Sequence, residues 1–314
     1  MKYNILFFLS LSMLISLVSC SEDEVNFPDY EKDWFVMEDN AGDSVAHAGY
    51  QFYQKYKIPV FINDTIGTQQ RVDLWGNTYT YYKTLSLNFA MGGSASAYSD
   101  PYLNTMTFCD KSVVPSALRY LDSHIMPSVP KSIHIHSILL VENLQSRATG
   151  TEVFNSINTL IIGNASKLAS YTAEQTQSLK STLLSLLVGK ALTSNADYSE
   201  DLDLFYQVSR SLYSVSDIYN TSTWYFNKDR MPGCPFDPYD YSVTGKDKML
   251  WAGFLDVDPA NPYYSPSSPL TDVQMYIKEY LKLGDAQFRS LYANYPNVIK
   301  KYEIVKPLID SAIQ

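Results

Sequence analysis

The chain has 314 residues, 46% of them hydrophobic and 18% charged, with a net charge of −9. That is core enough for one large domain or two small ones. The negative balance excludes a nucleic-acid binder, which needs a basic face to displace counterions from phosphate. Three cysteines and four histidines leave few soft metal ligands, and after residue 20 no apolar run is long enough to cross a membrane.

The first element is an export signal over 1–19. Lys2 supplies a positive head, and Ile5 to Val18 is almost wholly apolar, too short to span a bilayer comfortably. It ends in Leu17-Val18-Ser19-Cys20, which resembles the lipobox of bacterial lipoproteins. The resemblance implies cleavage before Cys20 and acylation of its thiol, so the mature chain is held on a membrane by lipid. Ser21-Glu22-Asp23-Glu24 is similar to the acidic tag of surface-exposed Bacteroidetes lipoproteins and opens a tether over 20–35. The implied location is the outer membrane, facing the cell exterior. Cys109 and Cys234 remain, and in an oxidising compartment they can pair or stay free; nothing in their spacing decides.

From 36 to 314 we expect a single domain. Ser44 to Tyr56 carries a helical pattern and runs into the strand-like Lys57-Ile58-Pro59-Val60-Phe61-Ile62. Residues 66–108 are polar, aromatic and glycine-dotted, with Met91-Gly92-Gly93 as a turn, and read as short strands or loops. Val113 to Ile125 is a helix. Ser132 to Val141 alternates and then becomes continuously apolar, as a strand buried along half its length would. Thr159 to Ile162 is a second strand, closed by Gly163-Asn164.

Thr172 with Gln175 three residues on makes a capping box, and Leu179, Leu183, Leu186, Leu187 and Ala191 recur at helical spacing to Leu192. A helix over Asp201 to Leu212 follows. Residues 220–270 show no long periodic segment, and a loop of that length is usually a functional surface or an insertion. Its Trp224, Tyr225, Phe226, Trp251, Phe254, Tyr263 and Tyr264 form a dense aromatic region. Trp224, Tyr225, Trp251, Tyr263 and Tyr264 are the candidate ligand-binding residues, with packing of the loop onto the domain as the alternative. From about 271 the chain is helical: Asp272 to Leu283, Asp285 to Tyr292 and Asn297 to Ile313.

Four passages carry a wider resemblance: Gln54-Lys55-Tyr56-Lys57-Ile58-Pro59-Val60, Ile161-Ile162-Gly163-Asn164, the 172–192 helix, and Leu270 to Tyr276 with Tyr295 to Tyr302. Together they resemble a family of Bacteroidetes lipoproteins of zinc-metallopeptidase type, associated with outer-membrane nutrient import. This implies an α+β, zincin-like fold: a small mixed sheet, a long central helix and a helical C-terminal part. The implied partners are a TonB-dependent transporter and its surface binding lipoprotein, with a peptide or glycan as ligand.

Active members carry His-Glu-x-x-His on the central helix, two histidines on one face for zinc and a glutamate to activate water. Here the stretch reads Leu186-Leu187-Val188-Gly189-Lys190, with Leu186 and Lys190 at the histidine positions and Leu187 at the glutamate. Leucine cannot coordinate zinc, and lysine brings positive charge to a cation site. No cofactor is therefore expected, zinc included, and the domain reads as non-catalytic, with Leu186 and Leu187 buried in a closed or narrowed cleft.

Two alternatives stay open: a hydrolase with an atypical site at His134 and His136, which a strand projects to one face, and a purely structural subunit. The run Asp197, Glu200, Asp201, Asp203 lacks calcium-ligand spacing and sits where a helix dipole favours negative charge. His47 reads as a local hydrogen-bonding residue, and Asp256-Val257-Asp258-Pro259 as a solvated turn.

Overall fold

A computed structural model describes residues 32–87, 106–145, 152–156, 158–213 and 216–313. The signal, Cys20, the acidic tag and Met91-Gly92-Gly93 lie outside the described residues. The chain divides into two units, one of residues 35–68 and 82–314, the other containing the far part of a β-hairpin, 69–81. Among the described residues there are eight α-helices and a small sheet, a mixed α+β architecture.

The sheet has the order β1 (Val60–Phe61), β5 (Ile138–Leu144), β7 (Leu160–Ile162), β6 (Val153–Asn155), with β4 (Met106–Phe108) also on β5. β1, β5 and β7 are parallel; β6 and β4 are antiparallel to their neighbours. β5 is apolar without a break over Ile138–Val141, where both its faces are covered. Ile138 and Leu140 face one hydrophobic cluster, with Leu160, Ile162 and the first half of the central helix. Leu139 and Val141 face another, with Ile161, Leu85 and Phe61.

The strand read over 132–141 begins only at Ile138. Residues 132–137 keep the alternation in burial, since Ile135 is buried while His134 and His136 are exposed. The ladder partners Val60 and Leu160, however, start opposite Ile138. The run at 57–62 likewise pairs only at Val60 and Phe61. Phe35, which the sequence places at the end of the tether, packs edge-on against Phe61. β2 (Thr65–Val72) and β3 (Thr78–Thr84) form the separate hairpin, turning at Asp73–Asn77 through Gly76 at φ +84°.

Eight helices complete the fold: α1 (Ser44–Tyr56), α2 (Val114–Tyr120), α3 (Ala173–Ser194), α4 (Ser199–Arg210), α5 (Gly245–Ala252), α6 (Pro269–Leu283), α7 (Asp285–Tyr292) and α8 (Pro296–Ala312). Asp43 caps α1 by accepting from Val45 N–H and Ala46 N–H. α3 is the central helix. Its capping box is present: Thr172 Oγ1 accepts from Gln175 N–H at 3.2 Å, and Gln175 Oε1 from Thr172 N–H at 2.9 Å.

The apolar stripe read on α3 understates its burial. Ser181 to Gly189 are buried without interruption, so this stretch is enclosed all round. Leu183, Leu184, Leu186 and Leu187 pack toward the sheet, while Val188 and Leu192 pack into the helical cluster of α4 to α8. Gly189 permits the contact with α6, since a Cβ there would stand 2.6 Å from Gln274 Cγ.

The 220–270 stretch contains a helix that the sequence reading missed, α5. Its start is capped by Thr244 and Asp247 in a second capping box, and Gly253 at φ +87° ends it. The helical half encloses an ion pair. Lys301 Nζ donates to Asp272 Oδ2 at 2.5 Å and to Ser209 Oγ at 3.2 Å, Tyr219 Oη donates to the same carboxylate oxygen at 2.7 Å, and neither charged side chain is exposed at all. The ammonium lies 4.2 Å and 4.6 Å from the ring centres of Phe205 and Phe254. Burial pulls Lys301 down to about 8 and pushes Asp272 up, against the attraction between them.

Cys109 and Cys234 are both free and buried, in different hydrophobic clusters. Burial pushes the Cys109 thiol up to about 11 and raises that of Cys234.

Candidate functional site

A cleft forms where α3 leaves the core. Leu187 is 7% exposed and Val188 and Gly189 are buried, but the next two residues, Lys190 and Ala191, are exposed. The opposite wall is the extended 132–136 segment, which sends Ile135 inward and His134 and His136 outward, ring centres 6.4 Å apart. His136 also rests on Phe35, 4.4 Å between ring centres.

The third wall is the approach to β7. Leu160 N–H donates to Ser137 O at 2.9 Å, Ser137 Oγ lies 2.9 Å from Thr159 Oγ1 and donates to Asn158 O, and these bonds fix Asn158 and Thr159 at the rim. With Asn155 from β6, the walls enclose a cleft of about 420 Å3, within the range of small-ligand sites. Its floor is aliphatic (Ile133, Ile135, Leu160, Leu187), and its rim is polar.

Leu186, like Leu187, is largely buried, as expected, and Lys190 runs out to solvent. Leu187 floors the cleft and Leu186 packs into the sheet-side cluster. The lining does not suit zinc. His134 and His136 line it beside the cationic Lys190, and among the described residues no group of three histidine, cysteine or carboxylate side chains is placed to hold a metal ion. No step through a metal is derived from this geometry.

The other singled-out residues lie elsewhere. His47 is locally tied, Nδ1 at 2.7 Å from Asp39 Oδ1 and Nε2 at 2.8 Å from Gln51 Nε2. Glu200 and Asp201 sit in the first turn of α4, where the dipole favours them. The Asp256–Pro259 turn is solvated only in part. Asp256 is half-buried and pairs with Lys246 at 3.1 Å, whereas Asp258 is buried and accepts from Ala260, Asn261 and Ser267 N–H.

The aromatic loop separates into packing and surface groups. Phe226 and Phe254 are wholly buried. Trp251 is half-buried and meets Phe236 edge-on, at a second cavity of about 420 Å3 that Tyr295 and Asp247 also line. Tyr225 lies against Arg230, 4.5 Å from ring centre to guanidinium, and Tyr264 bridges to Ser222. Trp224 and Tyr263 are exposed, and Trp224 meets Tyr239 edge-on.

The sequence reading missed Asn155, Asn158, Ser132 and Ser194, which join the cleft only through the sheet register and the end of α3. The same-face placement of His134 and His136 was the one available signal for this wall. No family model, no curated protein and no solved structure matches the chain.

Proposed function

We propose that the chain is a lipid-anchored, outward-facing outer-membrane protein whose zincin-like domain binds a ligand in the α3 cleft without hydrolysing it. It acts as an accessory of a nutrient-import system built on a TonB-dependent transporter and its surface binding lipoprotein, and its ligand is a peptide or glycan. The observation that carries this reading is the cleft lining: Leu187 and Lys190 occupy it at the central helix, and no carboxylate is among the described lining residues. Metal-assisted hydrolysis needs a cation, three ligands for it and a base for the water. A parallel-stranded sheet with an antiparallel edge strand, packed on one long central helix, supports the zincin-like assignment.

A second reading, a hydrolase using His134 and His136, draws support from the proximity of the two rings. Metal analysis and peptide-library cleavage on the detergent-solubilised full chain separate the two. We expect zinc well below one equivalent and no cleavage. One equivalent of zinc, lost in His134→Ala/His136→Ala together with a cleavage activity, would overturn the binding reading. Anchoring is tested in cells with a palmitate analogue, which should label the wild type and leave Cys20→Ala unlabelled. Co-purification from native membranes tests the transporter partner.

A further inference from the structure

We infer that the α3 cleft holds a free C-terminal carboxylate, that of a peptide ending in an aliphatic residue. This rests on the binding reading above and names its ligand.

The first ground is charge. The chain carries −9 overall, yet the cleft is lined by one permanent cation and two imidazoles, and by no carboxylate among the described residues. Four lysines elsewhere pair with a nearby carboxylate: Lys55 with Asp122, Lys228 with Asp237, Lys246 with Asp256, Lys306 with Asp310. Among the described residues Lys190 has no such partner. A cation left unpaired in a concave, partly apolar wall concentrates positive potential where a ligand would enter.

The second ground is hydrogen-bonding polarity. Asn158 Oδ1 lies 3.3 Å from Thr159 Oγ1, and its amide group is a donor at the rim. Lys190 offers three more donors and no acceptor. Donors with no anionic side chain among the described lining residues to compete for them suit an anion, and carboxylate bonds to an ammonium are among the stronger ones.

The third ground is the floor. Ile133, Ile135, Leu160 and Leu187 form an aliphatic surface with no phenyl, phenol or indole ring beside it. A sugar's C–H face packs best on such a ring, whereas a leucine or valine side chain packs well on this floor. The volume of about 420 Å3 admits one or two residues, so recognition is of a chain end.

The test uses the full-length protein in detergent and an N-terminally labelled Gly-Gly-Ala-Leu peptide, as free acid and as C-terminal amide, read by fluorescence anisotropy. The acid should bind and the amide bind weaker by about tenfold or more, as loss of a charge-assisted hydrogen bond implies. Lys190→Gln should weaken the acid by a similar factor and leave the amide and the melting temperature unchanged. Equal affinity for acid and amide, or an acid indifferent to Lys190→Gln, overturns the carboxylate inference and leaves the binding reading standing. Lys190-dependent binding of oligogalacturonate without binding of the peptide acid overturns the peptide assignment. If peptides, oligogalacturonate and neutral oligosaccharides all fail to bind or to shift the His134 and His136 resonances, the binding reading falls and this inference with it.

Discussion

Lys301 and Lys190 are the same ammonium in opposite settings. Lys301 is enclosed between α4, α6 and α8, its charge met by Asp272 and Ser209 and its ammonium set beside the rings of Phe205 and Phe254. Lys190 stands at the mouth of a cleft with no carboxylate partner among the described residues. An enclosed charge must find its partners within the fold, or the fold loses several kcal/mol. A charge at a cleft mouth is hydrated in the free protein and can exchange water for a ligand. The helical half thus uses its interior charge for structure, whereas the sheet-side cleft keeps its charge available.

Removing the partner of the enclosed lysine should have the largest effect. Asp272→Ala leaves Lys301 buried and unpaired, and we expect a loss of about 3–5 kcal/mol in chemical denaturation. Replacing both, Asp272→Leu with Lys301→Met, should recover most of it, since apolar substitutes for a buried pair are often neutral or better. Failure to recover would mean that the pair specifies the helix arrangement.

Leu186→His, Leu187→Glu and Lys190→His together attack the other side of the comparison by making the cleft floor ionisable. We expect a loss of roughly 2–5 kcal/mol from the two buried leucines, with no peptidase activity. Tight zinc and cleavage by this variant would show that the cleft had kept a catalytic geometry.

Two tryptophans from the aromatic loop should separate by degree. Trp251→Ala, in the helical half, should cost about 2 kcal/mol because its ring is half in the core; Trp224→Ala should stay below about 1 kcal/mol. Equal losses would place both rings in the packing.

Cys109 adds a pH dependence on the sheet side. Its folded thiol is pushed up to about 11 from an ordinary 9.0, so the unfolded chain gives up its proton first. The Cys109 contribution to stability should therefore be complete below pH 9 and be lost as the pH rises toward 11. Cys109→Ser should flatten that slope in urea titrations at pH 8 and pH 10.5. The smallest effect is Lys190→Gln, expected within about 0.5 kcal/mol of the wild type. A larger loss would mean that Lys190, too, is a structural charge.

Much of the scaffold was legible because its signals are local. Thr172 and Gln175 mark the start of α3, and its leucines repeat at helical spacing. What failed depends on partners distant in sequence. The 132–137 segment has the alternation of a strand but no ladder partner until Ile138. Gly245 and the surrounding prolines and glycines hid α5, although Thr244 and Asp247 were there to announce it. Asp272 and Lys301 each look like solvent-facing residues on an amphipathic helix, and only three-dimensional packing shows that they meet. The cleft is legible in one wall, from the spacing of His134 and His136. Its other walls are brought together by sheet register, which no short window of sequence encodes.

The enclosed ion pair also bears on how the molecule opens. Asp272, Lys301, Ser209 and Tyr219 come from four separate stretches, and Ser209 in turn donates to Ala252 O at the end of α5. Peeling away any one stretch strands a charge or a donor in an apolar interior, so partial unfolding of a single helix is penalised almost as heavily as unfolding of the group. Amide protons of α4, α6 and α8 should then exchange with solvent deuterium through one shared opening event, with a common free energy, while those of the exposed hairpin exchange independently and early.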